Sequence, residues 1–213
     1  MFTFVYHLTE AENLPSIVRH GLLSTSALLD HLGVRGEERN AVEKQQRSAR
    51  KKLADGFVIR DQRPMPPSAL AQCLIGLTAP QWYQLLNSKV FFWFDRKRLD
   101  GQRRAGGSYP QVVLKIDAHR LLQRHGARAA VTSINTGYAM RRPASRCTAT
   151  FVPYGVWKDS GFSPETQTLA VSRRRNPVEL AIAESVPDIM DFVLEIEHLG
   201  DNGTAMEEIA KLE

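Results

Sequence analysis

A short apolar segment with one carboxylate at its start constrains this chain more than any other stretch. Residues 176–189 read Asn-Pro-Val-Glu-Leu-Ala-Ile-Ala-Glu-Ser-Val-Pro-Asp-Ile, and the alternation and Ile/Val content after residue 177 predict a strand. An ionised Glu179 on a buried strand must be paired, solvated in a cleft or shifted in pKa. Glu179 is therefore either a functional carboxylate or a strand-edge side chain that faces water.

The length and composition suit a globular domain in a reducing compartment. With 213 residues, of which 43% are hydrophobic and 24% charged, the chain can bury a core without metals or crosslinks. No apolar run approaches the roughly 20 residues that cross a bilayer. Cys73 and Cys147 have the spacing of neither a zinc site nor a disulfide scaffold, and the first residues lack the features of a secretory signal. We expect one cytoplasmic domain over residues 1–200.

Charge is distributed unevenly along the chain. The net charge is +5, but residues 185–213 carry eight acidic residues against one lysine, so the rest of the chain is strongly basic. A basic body favours a polyanionic partner such as nucleic acid or a dinucleotide. The acidic residues 201–213 are predicted to form a mobile tail.

The remaining patterns predict an α+β fold. Predicted strands cover residues 2–7, 90–94, 111–116, 131–134 and 192–196, and predicted helices cover residues 14–20, 36–54, 78–87 and 118–125. Residues 151–164 mix aromatics, glycine and proline, which is typical of a structured surface loop. Because the helices cluster early and the strands occur in both halves, the order favours α+β over an alternating parallel sheet.

Three motifs in chain order resemble DarT-type ADP-ribosyltransferases. Residues 6–24 contain Tyr-His-Leu-Thr, Asn-Leu-Pro-Ser-Ile and Arg-His-Gly-Leu-Leu-Ser, which are similar to the opening of that family. Residues 90–94 resemble its aromatic middle strand, and residues 178–189 resemble its catalytic-glutamate strand with the following turn. The chain also resembles a DarT-related bacterial domain family without assigned activity. The resemblance implies an ADP-ribosyltransferase-like split β-sheet core with an NAD cleft and several peripheral helices.

The resemblance implies a role for Glu179 and His7. When the bond between nicotinamide and ribose breaks, positive charge develops on the ribose, and a nearby carboxylate stabilises it. Glu179 would be this catalytic residue, whereas Glu184 lies at an odd offset and would point to the opposite face of a regular strand. His7 would orient the dinucleotide; the alternative is a strand-end histidine with local hydrogen bonds.

Further side chains are implied to bind NAD. Arg60 ends a short predicted strand at residues 57–60 and would hold the pyrophosphate with its bidentate fork, with Arg47, Arg50 and Arg63 as the other choices. Phe92 would pack on nicotinamide, although the aromatic run suits a core equally well. Further candidates for lining the cleft are Tyr83, Asn87, Asn135 and Arg146.

We therefore expect an NAD-dependent mono-ADP-ribosyltransferase that modifies a nucleic-acid base or a protein side chain, as a toxin or defence effector with a cognate antitoxin. After the aromatic strand the chain reads Asp-Arg-Lys-Arg-Leu at residues 95–99, where DarT has a proline-bearing turn, so the acceptor-binding loops differ. The main alternative is a catalytically inactive nucleic-acid-binding module on the same fold. RNA 2′-phosphotransferase chemistry and an immunity or scaffold role are further alternatives.

Overall fold

The computed structural model describes residues 2–105, 109–200 and 205–206. Its strands are β1 (Phe4–Glu10), β2 (Leu22–Leu23), β3 (Lys51–Lys52), β4 (Val58–Ile59), β5 (Lys89–Trp93), β6 (Gln111–Asp117), β7 (Ala129–Thr132), β8 (Val152–Pro153), β9 (Glu179–Ala183), β10 (Ser185–Val186), β11 (Val193–Leu199) and β12 (Ala205–Met206). Its α-helices are α1 (Leu14–His20), α2 (Thr25–His31), α3 (Gly36–Glu43), α4 (Pro67–Leu70), α5 (Ala79–Asn87), α6 (Arg96–Ala105), α7 (Ala118–His125), α8 (Tyr154–Ser160) and α9 (Ser163–Leu169).

Eight strands form one antiparallel sheet in the order β12-β11-β6-β1-β5-β9-β7-β8. Two small antiparallel pairs, β10 with β2 and β3 with β4, lie beside it. An antiparallel sheet with helices on its faces is the α+β arrangement that the order of the elements predicted.

The sheet is split where β1 meets β5. Strand β1 pairs with β6 along all seven of its residues, and β5 pairs with β9 along all five of its own. By contrast, β1 and β5 share the single pair Tyr6–Trp93. Because the two strands separate beyond that pair, the sheet divides into two halves with a gap between them.

Helices cover both faces of the sheet. The main core lies on the face that carries Val5, Phe92 and Leu180, where α1, α7 and α8 pack. On the opposite face α4 and α5 pack through a second core that contains Trp82 and Ala181. With both faces of β9 covered, burial of its short apolar run follows from the fold, as the sequence predicted.

A glycine permits a close approach beside the gap. Gly21 ends α1 with a φ of +74°, and a Cβ atom there would lie 2.4 Å from the backbone of Pro187. Only glycine adopts this left-handed backbone readily and also lacks the Cβ atom for which there is no room. This contact joins the segment after α1 to the turn that follows β10.

The predicted helix over residues 36–54 is wrong in its second half, because α3 ends at Glu43. The carbonyl groups at its C-terminus are bound by side chains from elsewhere in the chain. Asn87 Nδ2 donates to Glu43 O at 2.9 Å, and Arg47 Nη1 donates to Val42 O at 2.8 Å. These contacts satisfy the carbonyls that a continuing helix would use, and the chain turns into β3 instead.

The predictions for residues 151–164 and 201–213 have different outcomes. The predicted surface loop over residues 151–164 is wrong, because most of it is helical in α8 and the start of α9. The predicted acidic tail, residues 201–213, lies outside the described residues apart from the two residues of β12. Among the described residues, no helix combines the length and apolar character needed to span a membrane.

Candidate active site

A cavity of about 640 Å³ lies at the gap between β1 and β5. Its walls come from both strands, from the segment around β4, from the loop after β7 and from the first residue of β9. A volume of this size is within the usual range of roughly 300–1,000 Å³ for small-molecule sites. The split in the sheet thus creates a site with several polar side chains.

Glu179 lies in the wall of this cavity and is almost completely buried. Three neutral donors bond one of its oxygens, Oε2: Thr136 N at 3.1 Å, Thr136 Oγ1 at 2.8 Å and Thr132 Oγ1 at 3.1 Å. Oε1 has no hydrogen-bond partner among the described residues. The carboxyl group is therefore fixed through one oxygen, while the other is free to meet a ligand.

The surroundings of Glu179 raise its pKa above that of an exposed glutamate. Burial raises the pKa of Glu179 from 4.5 to about 7, and the hydrogen bonds from Thr136 and Thr132 together with the charge of Arg146 offset only part of that rise. The Thr132 hydroxyl has one proton but lies near two acceptors, Ile134 O at 2.8 Å and Glu179 Oε2. A protonated Glu179 can donate to Thr132 when that hydroxyl donates to Ile134. The geometry accommodates both protonation states near neutral pH.

His7 bridges the two halves of the sheet. Its Nδ1 lies 2.9 Å from Phe91 O, and since a carbonyl oxygen accepts, Nδ1 carries the proton. Burial lowers the pKa of His7, the bond to Phe91 opposes that change, and the positive charge of Arg60 adds to it. A neutral ring protonated on Nδ1 presents Nε2 as an acceptor, and His7 lines the cavity.

Arg60 is a partly buried cation in the wall of this cavity. Arg60 lines the cavity, and no hydrogen-bond or ion-pair partner for its guanidinium occurs among the described residues. Burial lowers the pKa of Arg60, although the charges of Asp61 and Glu10 oppose that effect. A largely desolvated, unpaired cation favours an anionic ligand.

The other arginines that the sequence offered as choices have protein partners. Arg47 donates to Arg60 O at 2.9 Å and to Asn87 Oδ1 at 3.1 Å, and burial lowers its pKa to about 10. Arg50 forms ion pairs of 2.7 Å with Glu10 and Glu12. Arg63 is mostly exposed and pairs with Asp61 at 3.1 Å. Arg47 thus positions the Arg60 backbone, and the other two bind acidic side chains.

Two predicted binding residues belong to the protein core instead. Phe92 is one of the residues that line the cavity, but its side chain is completely buried in the main core, while the alternate residue Phe91 is partly exposed and also lines the cavity. Tyr83 is buried in the second core, where its hydroxyl donates to Met65 O at 2.6 Å. Period-2 alternation placed the aromatic rings on two faces but did not identify which face is the core.

Asn135 lines the cavity with a defined orientation. Its Oδ1 accepts from Gly137 N at 3.0 Å, so the amide nitrogen is the group left for a ligand. Asn87 also lies in the wall, but its Nδ2 donates to the carbonyls at the end of α3 and its Oδ1 accepts from Arg47. Asn135 can therefore donate to a bound molecule, whereas Asn87 is structural.

Sequence reasoning missed the residues that bind Glu179. Thr132 lies directly opposite Glu179 in the pairing of β7 with β9, and Thr136 follows in the next turn. A threonine at the end of a strand next to an Asn-Thr-Gly turn was the available signal, but its partner depends on a register 47 residues away in the chain. Arg146 was predicted to line the cleft; it is buried behind the wall instead.

Comparisons with known proteins identify a family but no activity. A family model described as "Family of unknown function (DUF7002)" matches residues 3–193. No curated protein matches the chain. Among solved structures, the chain is similar to "Thermosipho africanus DarTG in complex with ADP-ribose", with 12% identity and a TM-score of 0.38 over 92% of this chain. The match spans 43% of that longer chain.

Proposed function

The chain belongs to the DUF7002 family, and we propose that it is an NAD-dependent mono-ADP-ribosyltransferase acting on a nucleic-acid base or a protein side chain. One observation carries the proposal: a carboxylate with a free oxygen, Glu179, lines the same cavity as the unpaired guanidinium of Arg60 and the acceptor nitrogen of His7. This combination is complementary to NAD, which has an anionic pyrophosphate, ribose hydroxyls and a ribose carbon that becomes positive in transfer.

The two charged side chains act on opposite parts of the substrate. Arg60 binds the pyrophosphate with a fork of donors that has no competing partner among the described residues. Ionised Glu179 stabilises the positive charge that develops on the ribose carbon as the bond to nicotinamide breaks, and nicotinamide leaves with the electron pair. The acceptor then forms its bond to that carbon and transfers its proton to Glu179 Oε1.

Neutral groups orient the substrate between these charges. His7 Nε2 accepts a hydrogen bond from a ribose hydroxyl, because its Nδ1 proton is already donated to Phe91. Asn135 donates its amide protons to a carbonyl or phosphate oxygen, because its Oδ1 is bound by Gly137. Phe91 replaces Phe92 as the ring that packs on nicotinamide, since part of its surface faces the site.

The rim of the cavity favours nucleic acid among the acceptors. The exposed side chains of Arg98 and Tyr138 both line the cavity, and Arg141 and Arg142 are exposed just beyond Tyr138. Arginines contact phosphates and an exposed aromatic ring stacks on bases. A toxin or defence role with a cognate antitoxin, in the cytoplasm, completes the proposal and rests on the sequence resemblance alone.

The test is transfer from NAD labelled in its ADP-ribose part, with DNA, RNA and protein acceptors offered separately and products identified by mass spectrometry. Glu179→Gln should lose about 100-fold to 1,000-fold in rate, comparable to removing an electrostatic stabiliser of a transition state. Glu184→Gln is the matched control, since Glu184 is an exposed carboxylate five residues further along. It should keep the full rate.

Two outcomes contradict the proposal. Full transfer by Glu179→Gln removes Glu179 from the mechanism. If the unaltered protein neither binds nor consumes NAD but binds DNA or RNA in a salt-dependent manner, the chain is a nucleic-acid-binding module that lacks the chemistry.

A further inference from the structure

The loop that binds Glu179 has little regular structure of its own. Residues 133–146 connect β7 to the segment before β8 without a helix or a long strand. Several of its side chains, including Tyr138 and Met140, are exposed. Thr136 nevertheless places both its backbone N–H and its hydroxyl on one carboxylate oxygen. Something outside the loop backbone must keep Thr136 in register with Glu179.

The buried side chain of Arg146 binds backbone carbonyl groups of this loop. Its Nε donates to Ala144 O at 3.0 Å, its Nη1 to Thr136 O at 3.1 Å and its Nη2 to Tyr138 O at 3.0 Å. The side chain is 1% exposed, and its guanidinium carbon lies 5.7 Å from the centre of the Trp82 ring. One guanidinium thus joins three carbonyl groups of the same loop.

The backbone of Arg146 also forms hydrogen bonds, with the segment between α4 and α5. Arg146 N donates to Cys73 O at 2.8 Å, and Ile75 N donates to Arg146 O at 2.9 Å. These bonds connect Arg146 to the segment between α4 and α5, which packs in the second core. The guanidinium therefore has a rigid support, and the loop carbonyls follow its position.

The contacts of Arg146 are unusual for a buried cation. Among the described residues no carboxylate forms an ion pair with it, although Glu179 is near enough for its charge to act on the arginine. Burying a cation that meets only neutral carbonyls is costly. A planar fork of donors can satisfy three carbonyls at fixed angles, which a lysine ammonium cannot reproduce.

We propose that Arg146 is a positioning residue that holds the donors of Thr136 on Glu179 Oε2 and so keeps Oε1 directed at the cavity. The proposal rests on Glu179 being the reactive carboxylate of the proposed function, but its test does not require turnover. Arg146 acts through the loop and touches no substrate.

The test is a direct titration of Glu179 by carbon NMR of side-chain carboxyl groups, with the Glu179 signal assigned from Glu179→Gln. Arg146→Lys retains a positive charge but not the three-carbonyl geometry. If Arg146 positions Thr136, two donors leave Oε2 and the pKa of Glu179 should rise by about one unit. If the arginine acts only through its charge, or only supports the fold, the pKa in folded Arg146→Lys stays unchanged and the proposal fails.

Two further variants keep the test decisive. Arg173→Lys alters another largely buried arginine that donates to a carbonyl of the same segment, Ser145 O at 2.6 Å, and should leave the titration of Glu179 unchanged. An equal shift in that variant contradicts a specific role for Arg146. If Arg146→Lys does not fold, Thr136→Val removes one donor directly and should also raise the pKa. An unchanged pKa there overturns the link between loop and carboxylate.

The same variants distinguish this proposal from the proposed function. A raised pKa of Glu179 in Arg146→Lys, with no transfer from NAD by the unaltered protein, contradicts only the proposed function. Transfer by the unaltered protein, with an unchanged pKa in Arg146→Lys, contradicts only the role of Arg146.

Discussion

Two buried glutamates in this protein, Glu165 and Glu179, have different electrostatic surroundings. Glu165 in α9 is completely buried; its Oε2 accepts from Ser133 Oγ at 2.6 Å, and its Oε1 lies 3.2 Å from Arg173 Nη2. Glu179 is almost as buried, but its three hydrogen bonds come from neutral groups. The nearby cation, Arg146, gives its donors to loop carbonyls.

The difference indicates what each carboxylate can do. A buried carboxylate with a cation beside it forms an ion pair that joins parts of the structure. A buried carboxylate with neutral donors and a cavity on one side exchanges its proton near neutral pH, because burial raises the pKa of Glu179 to about 7. Of these two side chains, Glu165 has the surroundings of a structural ion pair, and Glu179 has those of a carboxyl group that can exchange a proton.

The largest expected effect is on stability, at Glu165. Glu165→Ala leaves the largely buried Arg173 without its acidic partner and should lower the free energy of unfolding by about 3–5 kcal/mol. Denaturant unfolding followed by circular dichroism measures the change. Arg173→Met combined with Glu165→Ala should cost less than Glu165→Ala alone. If Glu165→Ala lowers the free energy of unfolding by less than about 1 kcal/mol, the ion pair of Glu165 contributes no more than an exposed pair does.

The next effect has the opposite sign, at Glu179. The pKa of Glu179 is about 7 in the folded protein and 4.5 for the free side chain, so its contribution to stability is fully present below pH 4.5 and is lost as the pH rises through 7. Glu179→Gln cannot ionise and should be more stable than the unaltered protein by roughly 3 kcal/mol at pH 8. At pH 4 the two should unfold at similar denaturant concentrations. Equal stabilities at pH 8 would mean that Glu179 ionises as easily as an exposed glutamate.

The smallest expected effect is on NAD affinity and comes from a comparison of two arginines, Arg60 and Arg63. Arg60 has no partner among the described residues, whereas Arg63, three positions along, pairs with Asp61. Arg60→Ala should weaken NAD binding by about 10-fold to 100-fold, the effect of losing hydrogen bonds to a charged group. Arg63→Ala, the matched control, should keep the affinity. Isothermal calorimetry distinguishes the two, and equal affinities would redirect the pyrophosphate to another arginine.

The elements that could be predicted from the sequence depend on neighbouring residues. Thr78 caps α5 through a capping box with Gln81, as its spacing indicates, and the apolar run of residues 90–94 forms the central strand β5. The run after Pro177 forms β9 with Glu179 at its first position. In these stretches the pattern of side chains alone determines the element.

What the sequence could not predict depends on distant partners. The end of α3 is set by Asn87, which is 44 residues away from Glu43. Pro164 suggested a loop, but it lies in the first turn of α9, where its missing N–H costs nothing. The surroundings of Glu179 require the pairing of β7 with β9 and the return of Arg146 beneath the loop. Local patterns contain none of this information.

The separation of β1 from β5 also gives the sheet an internal edge. Strand edges at a protein surface offer unpaired N–H and C=O groups and invite pairing with other chains. Here the edge of β5 lies in a cavity of about 640 Å³, and the His7 ring covers the Phe91 carbonyl. This edge therefore borders a cavity between elements of the same chain, and one of its carbonyl groups already has a side-chain partner. The split thus places a strand edge inside the fold, where it does not invite pairing with another chain as an outer edge does.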